Sequence, residues 1–108
     1  MDLEHMPTRM KVVREELEGK AAIKVGGPFD SISDRVLEFT REIAEEGKRQ
    51  IVLDLSSVSY MTSQGIACII KVLKLAQEAG CALYVYQANP DMIELIRMAR
   101  IEKYIQFI

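Results

Sequence analysis

Apolar and polar positions change their spacing several times along the chain, and each change marks an element. Met10 to Leu17 and Ala21 to Val25 read as two short strands. Glu18, Gly19 and Lys20 between them make a loop of hairpin length, so the strands are expected to pair antiparallel. Gly26, Gly27 and Pro28 then break the pattern. Ile32, Val36, Phe39 and Ile43 recur at helical spacing. Asp30, Ser31 or Ser33 can cap that helix, Ser31 and Asp34 form a weak capping box, and Gly47 is the expected stop. Ile51 to Leu55 shows little alternation, the mark of a strand covered on both faces.

A Ser-rich turn is expected to lead from that strand into a second helix, Gly65 to Ala79. This helix is apolar apart from a solvated stripe of Lys71, Lys74, Gln77 and Glu78, and Gly80 ends it. Cys81 to Tyr86 reads as another strand. Pro90 opens a third helix around Met92 to Ala99, where Met92, Met98, Ile93, Leu95, Ile96 and Ile101 supply a packing face. Tyr104 to Ile108 is expected to be a short edge strand. The order predicts one α/β domain over residues 1–108, a small mixed sheet with an opening antiparallel hairpin and then parallel strands, flanked by helices.

Composition narrows the function more than the fold. With 49% hydrophobic and 28% charged residues, the 108-residue chain has the make-up of a globular domain, which excludes disorder as its main state. Its net charge of -2 gives no overall electrostatic footprint for nucleic acid. The longest apolar run, Ile66 to Ile70, falls far short of the roughly 18 residues that a bilayer crossing needs. Asp2, Glu4 and His5 are unlike a secretion signal, so a cytoplasmic location is expected. Cys68 and Cys81 lack CxxC spacing and His5 is the only histidine, which predicts buried, reduced thiols and no metal.

The chemistry concentrates in Asp54 to Gly65, DLSSVSYMTSQG, where a hydrophobic strand gives way to polar residues that open into the second helix. Ser63 would sit at the amino end of that helix, where unpaired N–H groups and the helix dipole favour negative charge. On spacing alone, Ser63 or Thr62 is equally a helix cap.

The segment DLSSVSYMTSQG resembles the signature of the STAS domains, the anti-sigma factor antagonist family. In that signature a hydrophobic-Asp-Leu strand passes through an aromatic residue into Asp/Thr-Ser-x-Gly. Gly27-Pro-Phe-Asp30 resembles the family's Gly-x-Leu-Asp turn, and Met98-Ala-Arg-Ile101 with Tyr104 and Phe107 resembles its carboxy-terminal helix and tail. The resemblance implies a STAS-like mixed sheet and a protein switch without catalytic residues or a bound cofactor of its own, since any ATP would belong to the partner. A partner anti-sigma factor that is also a serine kinase of the GHKL ATPase type would phosphorylate Ser63, with Thr62 as second choice. The unmodified form would bind that partner. A phosphatase, further copies of the chain and other STAS proteins are the remaining expected partners. Asp30 corresponds to the family's acidic residue beside the phosphorylation site, and Thr62, Gln64 and Gly65 complete the environment for docking. Asp54 is expected to have a structural hydrogen-bonding role. Three positions depart from the pattern: Thr62 replaces a frequent Asp, Gln64 a small residue, and Arg100 a helix-ending Gly.

Three rival readings remain. The chain can be a constitutive STAS scaffold, or a subunit of a stress-signalling or lipid-transport complex, with no phosphate cycle. A small serine hydrolase would need Gly-x-Ser-x-Gly, but Met61 holds the first Gly position and His5 is the only base of its kind. Asp54 as an aspartate phosphoacceptor would need an acidic pair for magnesium, which the opening strands lack.

Overall fold

The structure is a computed structural model that describes residues 8–108. Strands β1 (Lys11–Leu17) and β2 (Lys20–Phe29) form the opening hairpin, and helix α1 (Asp34–Glu45) leads to β3 (Gln50–Met61). Helix α2 (Ser63–Glu78) leads to β4 (Ala82–Tyr86), and α3 (Pro90–Met98) continues through a 3-10 turn (Glu102–Tyr104) to β5 (Ile105–Phe107). The hairpin loop is tighter than expected. Leu17 pairs with Lys20, and both intervening residues, Glu18 and Gly19, take positive φ angles of 53° and 80°, which match the twist of the flanking strands.

The five strands lie in chain order, β1-β2-β3-β4-β5. The first pair is antiparallel and the others are parallel. Right-handed crossovers that all step in one direction put every connecting helix on the same side of the sheet. The core has that shape. Ile23, Val25, Ile51, Leu53, Leu55 and Val85 share one cluster with Val36, Ile69 and Ile96 from the three helices. Residues alternate between the faces of a strand, so Val52 and Asp54 point the other way. Ile51 to Leu55 is buried throughout, as expected, but for a different reason on that second face. There Val52 and Asp54 lie between Ala22 and Lys24 of β2 and the larger Tyr84 and Tyr86 of β4. Gln50 donates a hydrogen bond to the Tyr84 hydroxyl at 3.1 Å.

Two strands run further than their composition suggests. Gly26, Gly27 and Pro28 belong to β2 and do not break it. The Ser-rich segment is likewise strand, not turn, because β3 continues to Met61 with Val58 and Met61 buried and Ser56, Ser57, Ser59 and Tyr60 exposed. Both extensions involve β-bulges, since the β2–β3 register shifts between Lys24 and Gly26 and again between Gly27 and Pro28. A bulge is also where a sheet tolerates proline, which has no N–H to donate. Asp54 builds the first bulge: its Oδ1 accepts the Ser56 backbone N–H at 2.9 Å. This matches the structural role expected for it.

The carboxy-terminal turn keeps its geometry without glycine, because Arg100 itself takes a left-handed φ of 61°. This conformation costs a non-glycine residue about 1–2 kcal/mol. The Arg100 N–H donates to the Arg97 carbonyl at 2.9 Å, so the turn still closes the end of α3.

Replacing Asp54 with Ala strands the Ser56 N–H at the first bulge. We expect Asp54→Ala to lower unfolding free energy by about 1–3 kcal/mol in urea titration, with Asp54→Asn closer to the parent because it keeps an acceptor oxygen.

Candidate functional site

The site begins where β2 and β3 end together. Phe29 lies opposite Met61, and the Thr62 N–H donates to the Phe29 carbonyl at 3.1 Å, one residue beyond the last strand pair. Asp30 on one strand and Thr62 and Ser63 on the other therefore emerge side by side at the carboxyl ends of adjacent parallel strands.

Gly65 lets α2 start so close to these strand ends. A Cβ at this position would fall well inside contact distance of the Phe29 carbonyl oxygen and 2.7 Å from Met61 Cγ. Flexible Met61 can move, but the Phe29 backbone cannot without disturbing the strand that carries Asp30. The motif glycine is thus a requirement of close approach.

The two hydroxyls of the motif have different tasks. Thr62 is the N-cap of α2, with extended φ of -107°, and its Oγ1 accepts the Gln64 N–H at 3.2 Å. Ser63 is the first helical residue, exposed, and its hydroxyl has no hydrogen-bond partner among the described residues. The cap of α1 is equally definite. Ser33 Oγ accepts the Val36 N–H at 3.2 Å, so neither Asp30 nor Ser31 caps that helix, and the expected Ser31–Asp34 capping box does not form. Asp30 is left exposed with no capping duty. Gln64 is exposed next to Ser63, and no acidic residue stands in the first turn of α2. The positive end of the helix is therefore not neutralised from within its own first turn.

Two apolar residues at the rim escaped the sequence reading. Tyr60 is 53% exposed, one position before buried Met61, and Ile32 lies exposed before the cap of α1 instead of on its packing face. Strand alternation carried through Tyr60 would have revealed the first, and placing the cap at Ser33 would have revealed the second. The α3 packing face is also divided, with Met92 buried and Met98 70% exposed.

The other candidate chemistries find no support in the geometry. Asp54 is only 3% exposed and already holds the Ser56 N–H, which is no place for a phosphoacceptor. His5 lies outside the described residues, and Met61 is a core strand residue, so no nucleophile elbow forms around Ser63. Burial pushes the Cys68 thiol pKa up, despite the opposing influences of Ser33 and Lys71, and disfavours the reactive thiolate. Cys81 is buried too, and its Sγ donates to the Lys48 carbonyl at 3.1 Å. Among the described residues, no group of His, Cys, Asp and Glu is arranged to hold a metal ion, and no helix is long and apolar enough to cross a membrane.

The division between the hydroxyls gives a stability test. Thr62→Ala removes a cap and should destabilise the protein by about 1 kcal/mol, while Ser63→Ala should stay within about 0.5 kcal/mol of the parent in thermal and chemical melts. Gly65→Ala should cost more than either, about 1–3 kcal/mol by overpacking, and should shift the amide resonances of Asp30 and Ser63 together.

Residues 11–108 match the family model described as the STAS domain. A Bordetella bronchiseptica protein named as an anti-sigma factor antagonist, BtrV, is 25% identical over 93 residues, covering 83% of this chain and 78% of its own length. The crystal structure of an anti-sigma factor antagonist from Mycobacterium paratuberculosis superposes with a TM-score of 0.73 at 18% identity, covering 94% of this chain and 86% of that one. The anti-sigma factor antagonist SpoIIAA in its unphosphorylated form gives a TM-score of 0.67 at 11% identity, with 93% and 87% covered. The phosphorylated form of SpoIIAA, a Bacillus cell-fate determinant, gives 0.62 at 12% identity, with 93% and 91% covered. With a match that runs from the first strand to the final residue, the chain belongs to the STAS domain family.

Proposed function

We propose that this chain, a single STAS domain over residues 1–108, is an anti-sigma factor antagonist whose binding is switched by phosphorylation of Ser63. Unmodified, it binds an anti-sigma factor that is also a serine kinase of the GHKL ATPase type, and phosphorylation releases it. The observation that carries the reading is the Ser63 hydroxyl, which forms no hydrogen bond among the described residues. It is exposed at the amino end of α2 beside Asp30, while Thr62 performs the capping. Thr62 is correspondingly the second choice, since its Oγ1 is already engaged with the Gln64 N–H.

In the transfer itself, Ser63 Oγ forms a bond to the γ-phosphorus of ATP held by the partner. The bond from that phosphorus to the ADP oxygen breaks, and the hydroxyl proton leaves to a base on the partner. Asp30 orients the hydroxyl or contacts the kinase, and Gln64 meets the docked partner next to the acceptor. A phosphatase would reverse the modification. The chain itself supplies no catalytic group.

Magnitudes separate the effect on the fold from the effect on binding. A phosphoserine brings about -1.5 to -2 charges, and a helix amino terminus stabilises an anion by about 0.3–1 kcal/mol. The modified domain therefore remains folded. The same phosphate buried in a docked interface, opposite a nucleotide-occupied surface, meets desolvation and like-charge penalties of several kcal/mol.

Incubation of the purified protein with ATP and an extract of its own cells should place one phosphate on Ser63, as mapped by phosphopeptide mass spectrometry. Ser63→Ala should take none and bind the partner persistently. Ser63→Asp should retain the circular dichroism spectrum and cooperative melt while binding the partner roughly a hundredfold more weakly. An unphosphorylated parent in an extract with verified kinase activity would instead favour a constitutive scaffold.

A further inference from the structure

The outward ridge of α2, away from Ser63, separates two hollows that share Lys74. One is an open groove of about 320 Å³ between α2 and the carboxy-terminal turn, lined by Ile70, Leu73, Lys74, Gln77, Ile101 and Tyr104. Its apolar surface is accessible: Ile70 is 41% and Tyr104 49% exposed. The other hollow lies between α1 and α2. There Arg41, Lys71 and Lys74 gather with Leu37 and Leu75, and Glu78 is the only carboxylate of the lining.

Cations outnumber carboxylates around the groove. Lys74 stands on its α2 rim, and Lys103 lies over the Tyr104 ring at 5.2 Å on the opposite side. Arg97 bridges Glu94 at 2.9 Å and Glu102 at 3.1 Å, and this cluster keeps one carboxylate in excess. Among the described residues, Arg41, Lys71, Lys74 and Lys103 form no salt bridge, whereas Arg14 and Arg97 do. In a chain of net charge -2, these cations beside an apolar floor form a local patch of opposite sign.

We infer that this groove docks an acidic amphipathic helix of a partner protein, its apolar side seated on Ile70, Leu73, Ile101 and Tyr104 and its carboxylates on Lys74, Lys71 and Lys103. Charge complementarity selects this occupant. An apolar stripe fits the floor, and acidic flanks meet rims where Lys71, Lys74 and Lys103 form no salt bridge among the described residues and Glu78 is the only carboxylate lining either hollow. The surface is separate from the Ser63 end of α2 and needs no phosphate there, so it stands or falls independently of the proposed switch.

The test is a titration of the full chain, labelled with nitrogen-15, with a synthetic helical peptide bearing Leu at i, i+3, i+4 and i+7 and Glu on both flanks. A control peptide carries Lys in place of every Glu. The acidic peptide should give saturable shifts centred on Ile70, Lys74, Ile101 and Tyr104 that weaken with added salt. Lys74→Glu and Tyr104→Ala, each checked for a parental melt, should each weaken binding about tenfold. Equal binding of the basic peptide, no saturable shifts, or unchanged affinity in both variants would overturn the inference. So would concentration-dependent shifts of the same residues without peptide, which would give the groove to a second copy. Preferential binding to phosphatidylglycerol vesicles through these residues would give it to a membrane surface and likewise overturn the inference.

Discussion

The hydrogen bond from the Thr62 N–H to the Phe29 carbonyl, made possible by the missing side chain at Gly65, joins the end of β2 to the start of α2. The two bulges prepare that junction. Between the pairs Lys24–Asp54 and Phe29–Met61, β3 advances seven residues while β2 advances five, so the longer strand must fold its excess into kinks before both can finish level. Asp54 secures the first kink from inside the sheet. A buried carboxylate that makes no contact with the site thereby helps to place Asp30 beside Ser63.

Much of this architecture was legible in the residues, because hydrophobic periodicity and Gly stops report local structure directly. The spacing of Val36 and Ile43 located α1, and Gly47 and Gly80 marked where α1 and α2 give way to loops. Composition misleads where a polar or turn-forming segment is overruled by the neighbouring strand. Gly26-Gly27-Pro28 and the serines of β3 look like turns in isolation, but each lies in a parallel ladder whose bulges absorb what a regular strand would refuse. The site residues were named from the motif, whereas their division of labour was not readable. Ser and Thr have similar cap propensities, and only backbone dihedrals decide which hydroxyl reaches back to an N–H.

That division matters for a modified protein. A phosphate on a capping residue would couple the charge state of the site to the stability of the helix beneath it. With the cap on Thr62, the helix start is maintained by one residue while its neighbour remains available for chemistry. Asp30 has the same freedom because Ser33 caps α1. Within the STAS domain family, this chain thus keeps its framework duties and its candidate contacts on adjacent but different side chains.

The chain-order sheet also has a kinetic meaning. Each strand pairs only with the strand just before or after it, so no ladder must wait for a distant part of the chain. The entropy lost in closing a loop grows with its length, and folds whose contacts close short loops tend to fold faster. During synthesis the hairpin can form first, and each later helix-strand unit can then add to an edge already present. The three-residue β5 then pairs along the free edge of β4.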